Sequence, residues 1–303
     1  MTADAIGRAD AGAKTRRRKR RPRIFTHLFL IVISIIWFFP LAWAVYTSLR
    51  PYGDTGGNDR GYFSIGGAYN FNNFIKAWNQ AELPLHLFDT LIVVVPAMIL
   101  VLFFASMIGF AVSRYSFRFN IAMLMLFTAG NLLPQQVVIT PLFRLYLALP
   151  LPTWLNSFGI WYDSFFGIIA IHVAFQLGFC TFVLSNYFKQ VPKELNEAAV
   201  VDGASVWKTY WSVLLPLARP ALAALATLEF TWIYNDFFWG YLLLRTGSKL
   251  PVTSALANLS GQFFTDYNLL AAGSLIVALP TLIVYFALQK HFVAGLTLGS
   301  TKG

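Results

Sequence analysis

Residues 91–112 read LIVVVPAMILVLFFASMIGFAV and contain no charged side chain over twenty-two positions. An α-helix rises about 1.5 Å per residue, so about 20 residues are enough to cross a bilayer core about 30 Å thick. A run of this length without charge is typical of a transmembrane helix. We therefore predict that a helix over 88–112 spans a membrane.

Similar apolar blocks recur along the chain, and the composition agrees with them. Apolar residues make up 57% of the 303 residues, charged residues make up 12%, and the mean hydropathy is +0.60. A soluble domain usually has about 25% charged residues with which to cover its surface. The sequence therefore predicts an all-α polytopic membrane protein with six transmembrane helices. The predicted spans are 25–48, 88–112, 120–143, 164–187, 217–239 and 268–289.

The distribution of Lys and Arg predicts the orientation of these spans. Cytoplasmic loops of membrane proteins carry an excess of Lys and Arg. If the N-terminus is inside, seventeen of the 23 Lys and Arg residues fall on the cytoplasmic side, nine of them in residues 1–23. We predict a basic cytoplasmic N-tail (1–23), a six-span domain (24–292) and a cytoplasmic C-tail (293–303).

The basic run RRRKRR at 16–21 has two other possible meanings. Such a run occurs in arms that bind nucleic acid and in the first part of a secretory signal peptide. It lies directly before the first apolar block, which extends from His27 to Leu49 and is too long for a signal peptide. A role in orienting a retained membrane helix is favoured, and no nucleic-acid partner is expected.

The sequence offers no site for a metal or a cofactor. Cys180 is the only cysteine, and the four histidines are scattered without the spacing of metal ligands. The phosphate-binding pattern G-x-x-x-x-G-K-[ST] does not occur in the chain. We expect no catalytic residue and no bound cofactor in this chain, so any ATP and Mg²⁺ chemistry must be supplied by a partner.

One long polar segment, VPKELNEAAVVDGASVWKTYWSVLLP at 191–216, separates the fourth and fifth predicted spans. Pro192 and the acidic Glu194 suit the start of a helix. Gly203 can adopt a positive φ and turn the chain, and Asp202 or Ser205 can cap the helix that follows. The segment therefore predicts two short helices around a turn at the membrane surface. A simple connector between two spans would have the same features.

A resemblance to a known family gives this segment a function. Its pattern resembles the EAA loop of binding-protein-dependent ABC permeases, in which coupling helices dock into a groove on the ATPase subunit. The resemblance implies that Glu197 faces a basic residue of the ATPase and that Gly203 permits close approach of the backbone. The residues that carry the resemblance are Glu197, Ala198, Ala199, Asp202, Gly203, Ala204, Leu215 and Pro216.

Two further segments are similar to the carbohydrate branch of that family. Residues 228–239 (LEFTWIYNDFFW) resemble its fifth span, with Tyr234 in place of the usual tryptophan, and residues 295–303 are similar to the tail of the maltose-type second permease subunit. The resemblance implies import of a sugar across a bacterial inner membrane by alternating access. It also implies three kinds of protein partner: a second permease subunit, two ATPase subunits and an extracellular or periplasmic solute-binding protein.

Polar residues inside the predicted spans are candidates for the solute pathway. An acidic side chain in the middle of a membrane costs about 2.5–3.5 kcal/mol on insertion scales, so it usually faces a bundle interior or a water-filled cavity. Sugars are bound by planar polar groups and aromatic faces. Hydrogen bonding between helices would explain the same residues equally well. The candidates are Asn131, Gln135, Gln136, Glu229, Trp232, Asn235 and Asp236.

Two other classes of membrane protein compete with this interpretation. A secondary transporter driven by an ion gradient would usually have more spans or a visible inverted repeat, and it would leave 191–216 without a role. A membrane enzyme would need clustered carboxylates in a polar loop, but the long loop after the first span contains only Asp54, Asp59 and Glu82. An ABC importer permease is the interpretation that accounts for the most residues.

Overall fold

The structure is a computed structural model that describes residues 24–55, 61, 63–115, 118–132, 134–260 and 265–297. The side chains of residues 121, 131, 132 and 290–297 are outside this description, as are the predicted basic tail at 1–23 and residues 298–303. The described part is helical and has no strand. Its α-helices are α1 (Ile24–Ser48), α2 (Tyr52–Thr55), α3 (Asn72–Gln80), α4 (Leu83–Arg114), α5 (Asn120–Leu132), α6 (Ile139–Ala148), α7 (Phe165–Gln190), α8 (Lys193–Val201), α9 (Val206–Thr209), α10 (Leu215–Leu217), α11 (Arg219–Tyr234), α12 (Phe238–Leu243), α13 (Val252–Ala255) and α14 (Tyr267–Thr297). Three 3₁₀ turns (Gln135–Val138, Gly247–Lys249 and Leu256–Leu259) and one π-helical segment (Tyr210–Leu214) complete the described helical structure.

The chain divides into two compact units, residues 1–44 and residues 45–303. In the first unit, the described residues form the apolar helix α1 up to Ala44, with Pro40 inside it. The rings of Phe39 and Trp43 stack one turn apart, with centroids separated by 5.9 Å. All the other helices belong to the second unit.

Four helices are long and apolar enough to cross a membrane: α1, α4, α7 and residues 267–289 of α14. Two bent helix pairs raise the number to six if each pair forms one span. The all-α polytopic class is therefore confirmed, and four of the predicted spans are continuous helices. The second, the fourth and the last extend beyond their predicted C-terminal ends, and α14 reaches Thr297 and includes part of the predicted C-tail.

The predicted third span, 120–143, is not one continuous helix. α5 ends at Leu132, and the chain turns by 92° before residues 135–148 continue. Pro134 explains the interruption because it has no amide hydrogen to donate to a helical hydrogen bond. Its ψ of 128° takes it out of the helix as well.

The predicted fifth span, 217–239, is also interrupted. α11 is bent by 73° from the preceding segment Val206–Leu217 and ends at Tyr234, short of the predicted end. Asn235 donates a side-chain hydrogen bond to the carbonyl of Thr231, 2.8 Å away, which competes with continuation of the helix. The carbonyls released at 236 and 237 accept hydrogen bonds from Thr253 and Ser254 of α13. The break is therefore satisfied by protein groups, as a membrane interior requires.

α4 and α7 form the closest helix pair of the second unit, and their C-terminal ends lie together. A Cβ on Gly109 of α4 would lie 3.1 Å from the amide nitrogen of Ser185 and 3.2 Å from the Cβ of Leu184 on α7. Small residues at helix contacts permit the close backbone packing that stabilises helices in lipid. This pair forms the framework on which both functional regions are built.

The segment between α1 and α4 contains helices α2 and α3. Arg50 is buried there and donates to the carbonyl of Ser64 at 2.8 Å and to that of Asp54 at 3.1 Å. The Arg50 carbonyl accepts from the side chains of Asn73 and Asn268, both 2.8 Å away. These bonds attach the segment to the start of α14.

Asp163 fixes the loop after α12 to the start of α7. Its carboxylate accepts from the amides of Arg245 and Thr246 at 2.8 and 2.9 Å, and it pairs with Lys249 at 3.3 Å. Burial alone would raise the pKa of Asp163, but the hydrogen bonds from Thr246, Arg245 and Lys249 outweigh it and hold this pKa below its usual value. The contact positions α12, which begins at the break in the fifth span.

Candidate functional site

A cavity of about 660 Å³ lies at the break between α11 and α12. Its wall combines amides, a carboxylate, an imidazole and aromatic rings, an unusual lining for a membrane interior. The lining residues are Gln135, His172, Phe175, Gln176, Phe179, Thr231, Trp232, Asn235, Asp236, Phe237, Phe238 and Trp239. Segments remote in sequence form it: the turn after α5, the middle of α7, and the end of α11 with the start of α12.

Asp236 holds a fixed position because the first turn of α12 binds its side chain. The carboxylate oxygen Oδ2 accepts hydrogen bonds from the amides of Trp239 and Gly240, at 3.1 and 3.3 Å. The same oxygen lies 3.7 Å from Nε2 of His172 on α7. A carboxylate placed in this way can accept a hydrogen bond from a hydroxyl group in the cavity.

The aromatic part of the wall is fixed by ring contacts. Trp232 packs against Phe179 with centroids 5.3 Å apart, and Trp239 packs against Phe175 at 5.5 Å. Trp239 is buried, whereas 44% of the Trp232 surface is exposed. Trp232 therefore offers a ring face to a solute, and Trp239 supports the wall from behind.

The structure brings together four of the seven residues predicted for the solute pathway, since Gln135, Trp232, Asn235 and Asp236 all line the cavity. Gln136, in contrast, is exposed and is not part of the lining. The side chain of Asn131 lies outside the described residues.

Glu229, the remaining candidate, does not line the cavity. Glu229 is fully buried, and its Oε1 accepts a hydrogen bond from the thiol of Cys180 on α7 at 3.1 Å. α11 ends at Tyr234, between Glu229 and Asp236, so the two carboxylates do not share one helix face, and Glu229 lies at the packed contact with α7. Its role is in the packing of α11 against α7.

Sequence reasoning missed the contribution of α7 to the cavity: His172, Phe175, Gln176 and Phe179. The spacing of these residues at i, i+3, i+4 and i+7 is that of one helix face. Because the block around them is apolar, the two polar members, His172 and Gln176, were the available signal.

The predicted pair of helices around a turn at 191–216 is confirmed as a geometry. α8 begins directly after Pro192, and Gly203 makes the turn with a φ of +76°. Ser205 caps α9 by accepting a hydrogen bond from the amide of Lys208 at 3.3 Å. The continuation through the π-helical segment to Leu217 leads into α11.

Most of the predicted coupling residues lie on the surface of this unit. Glu197, Ala198, Asp202 and Gly203 are exposed. Ala199 is buried, so it packs within the chain instead of facing a groove. Ala204, Leu215 and Pro216 are partly buried.

Apolar side chains complete this surface, and the motif did not indicate them. Val201 is 86% exposed, and Leu195, Val200, Val206 and Trp207 are exposed with it. A contiguous exposed apolar patch beside charged residues marks a surface that binds another protein or a membrane. We refer to this apolar set together with Glu197, Ala198, Asp202 and Gly203 as the coupling tip.

Three side chains attach residues 191–217, which we call the coupling unit, to helices α4 and α7. Arg114, at the end of α4, donates to the carbonyls of Phe188 and Val191 at 2.9 and 3.0 Å and so caps the end of α7. The hydroxyl of Tyr210 lies 2.7 Å from Ser106 Oγ on α4. Tyr187 of α7 donates to the carbonyl of Leu217 at 3.0 Å. A displacement of the coupling unit would therefore act on α4, α7 and α11, two of which form the cavity.

Residues 97–297, which include the cavity-lining residues and the segment 191–216, match a known protein family. The family is described as the binding-protein-dependent transport system inner membrane component. The chain belongs to this family. It is accordingly a membrane permease subunit of an ABC importer, a transport component and not an enzyme in its own right. Family membership places it in the inner membrane and makes its transport dependent on a binding protein.

Individual relatives are similar to this permease over nearly its whole length. A protein of Pyrococcus horikoshii named as a probable ABC transporter permease is 33% identical over 92% of this chain and 97% of its own. The diacetylchitobiose uptake system permease protein of Streptomyces coelicolor is 29% identical over 93% of this chain and 90% of its own. A solved bacterial ABC transporter that imports the acidic polysaccharide alginate has the same fold, with a TM-score of 0.73 and 21% identity over 89% of this chain and 96% of the solved one.

Proposed function

We propose that this permease forms half of a translocation pathway for a sugar and that the cavity at the α11–α12 break is its solute site. The cavity is the observation that carries the proposal, because its amides and carboxylate can bind hydroxyl groups while Trp232 offers a ring face. Pockets of this kind use a few placed polar groups to orient a ligand on a largely aromatic surface. The diacetylchitobiose uptake permease supports the sugar class.

A second permease subunit of the same family completes the pathway in this proposal. The cavity is open on one side, where Trp232 and Asn235 are exposed, and a partner facing it would enclose a solute. A solute-binding protein delivers the sugar to the outer face. Both termini are then cytoplasmic, in keeping with the excess of Lys and Arg in residues 1–23.

The coupling tip docks on an ATPase subunit in this proposal, and two such subunits bind the ATP and Mg²⁺. Val201 and Trp207 would fill an apolar groove, and Glu197 would face a basic residue beside it. Closure of the ATPase subunits would move the coupling unit. Through Arg114, Tyr210 and Tyr187 it would shift α4, α7 and α11 and open the cavity to alternate sides.

Co-purification tests the docking role. The tagged permease is expressed with its native membrane partners, extracted in mild detergent, and the bound proteins are identified by mass spectrometry. We expect an ATPase and a second permease to remain bound. A Glu197→Ala/Gly203→Val double variant should lose the ATPase but retain the second permease. Gly247→Val is a matched control, because Gly247 is distant in sequence from the tip and a Cβ there meets no atom within 4 Å.

The result can also contradict the proposal. A folded permease that reproducibly purifies without an ATPase would remove the coupling role and favour transport driven by an ion gradient. Retention of the ATPase by the double variant would place the docking surface elsewhere on the chain. Uptake of radiolabelled sugars by vesicles that contain the whole complex then identifies the cargo.

A further inference from the structure

The charge of the cavity wall distinguishes between classes of sugar. Asp236 is the only acidic side chain in the described lining, and no Lys or Arg lines the cavity in the part of the chain that the structure describes. His172 is the single group that could carry a positive charge. The net charge of this wall is therefore −1, or zero when His172 is protonated.

His172 cannot turn the cavity into an anion site. Its Nε2 lies 3.7 Å from Oδ2 of Asp236, so a proton on this nitrogen faces a carboxylate that is already present. The imidazole is buried, with only 5% of the His172 surface exposed. A protonated His172 would neutralise Asp236 and leave no positive charge for an anionic solute.

Asp236 presents its carboxylate to the cavity. Its Oδ2 accepts hydrogen bonds from the amides of Trp239 and Gly240, and the amide of Phe238 also donates to the carboxylate. The side chain is 15% exposed, and the cavity is the space that it borders. A hydroxyl group in the cavity can donate to this carboxylate, whereas a carboxylate or sulfate group has no proton to donate and is repelled by its charge.

The amides of the wall suit the same kind of ligand. Gln135, Gln176 and Asn235 each carry a donor and an acceptor, so they can pair with hydroxyl groups in either direction. Neutral amides supply none of the charge with which proteins hold carboxylates and phosphates, a task for which Arg and Lys are used. The wall is matched to hydroxyl groups and to aromatic stacking.

We propose that this cavity takes an uncharged, hydroxyl-rich solute and that Asp236 is the residue that rejects anionic ones. The proposal rests on the proposed function, because the cavity must be part of the pathway. It separates this permease from the structurally similar importer of an acidic polysaccharide, whose fold is shared but whose cargo does not follow from the fold.

The charge preference can be measured on the assembled transporter without knowing the cargo. Gln176→Cys is introduced together with Cys180→Ser, which keeps a hydroxyl donor for Glu229. The complex in membrane vesicles is treated with three thiol reagents of similar size: a cationic, an anionic and a neutral methanethiosulfonate. The rate with the neutral reagent corrects for access. We expect the cationic reagent to react roughly tenfold faster than the anionic one, because Asp236 is the only acidic group in the described lining that Gln176 shares and no Lys or Arg is part of it.

Two further variants assign that preference. Asp236→Asn should bring the ratio of cationic to anionic rates close to that of a free thiol. Glu82→Gln, which removes an exposed acidic charge that is not in the lining, should leave the ratio unchanged. The proposal would be overturned if the two charged reagents reacted at equal rates or if the anionic reagent reacted faster. It would also be overturned if Asp236→Asn left the ratio of cationic to anionic rates unchanged.

A further measurement, made after trapping with vanadate, distinguishes a failure of this inference from a failure of the proposed function. Trapping the ATPase subunits with ATP and vanadate should change the rate at Gln176→Cys if the cavity belongs to an alternating-access pathway. No change would overturn the pathway role and with it the inference. A change combined with a preference for the anionic reagent would leave the pathway role intact and overturn only the rejection of anions.

Discussion

The coupling tip and the cavity lie in the same second unit but are built in opposite ways. The tip lies within 13 consecutive residues, from Leu195 to Trp207, and hydrogen bonds there run between near neighbours, such as that from the Lys208 amide to Ser205. The cavity joins residues as far apart as Gln135 and Trp239, and Thr253 must satisfy the carbonyl of Asp236. A local unit can change its surface without losing its fold, whereas the cavity depends on contacts between several segments.

The largest effect is expected from breaking the local unit at its turn. Gly203→Val should abolish ATP-driven uptake, because a β-branched residue is strongly disfavoured at a φ of +76°, at a cost of about 1–3 kcal/mol in a unit stabilised mainly by local contacts. Gly203→Asn should retain uptake, since Asn tolerates this backbone region. Tracer uptake is compared at equal amounts of membrane-inserted protein. Normal uptake by the valine variant would show that the turn is not needed for coupling.

The long-range support of the cavity is tested at Asp163. Asp163→Asn should lower the stability of the solubilised complex by about 2 kcal/mol, because it leaves the partly buried charge of Lys249 without an opposite charge. The unfolding temperature in detergent measures this. Since the pKa of Asp163 is held below its usual value, the contribution is present above pH about 4, the value for unfolded Asp, and disappears as the pH falls through the folded pKa.

The difference between wild type and Asp163→Asn should therefore be constant between pH 5 and 8 and shrink in more acidic buffer. A difference that grew on acidification would contradict the assigned role of the carboxylate.

A smaller loss is expected at Gly167, where α7 starts beneath the loop that carries Trp161. A Cβ there would lie only 2.5 Å from the carbonyl oxygen of Trp161, so Gly167→Ala forces the loop or the helix to move and should cost about 1.5 kcal/mol. Gly130→Ala is the matched control, because a Cβ at Gly130 has no atom within 4 Å. Equal unfolding temperatures for the two variants would show that the loop adapts without cost.

The smallest effect is expected at the cavity itself. Trp232→Ala removes one ring face and should weaken uptake by about 1 kcal/mol, seen as a rise of roughly fivefold in KM at unchanged ATPase binding. Trp154→Ala, at an 81% exposed tryptophan that does not line the cavity, should leave KM unchanged. A lower maximal rate at unchanged KM would place Trp232 in the movement of the helices instead of in solute binding.

The two regions also differ in how far the sequence predicted them. The turn at Gly203 and the cap at Ser205 were predictable because each depends on the backbone preferences of residues a few positions apart. Val201 was missed as a surface residue because a valine in a short helix carries no signal of exposure. Ala199, in the same helix, was expected to be available for docking and is buried.

For the cavity, Asn235 and Asp236 were found because polar residues in an apolar span usually face a bundle interior or a water-filled cavity. Glu229 met the same criterion but does not line the cavity, since the sequence shows that a carboxyl is in the span but not what it packs against. His172 was overlooked because its partner, Asp236, is 64 positions away along the chain.

The length of the apolar runs and the positions of Pro and Gly are properties of the sequence alone. They determined that this chain is a helical membrane protein, where most spans lie and where the coupling turn forms. These features depend on the thickness of a bilayer and on the φ preferences of single residues. The tertiary structure alone decided that α7 lines the cavity and that Asp236 borders it while Glu229 packs against α7. Those outcomes depend on how the helices pack together and on where α11 ends, which hydrophobic runs leave open.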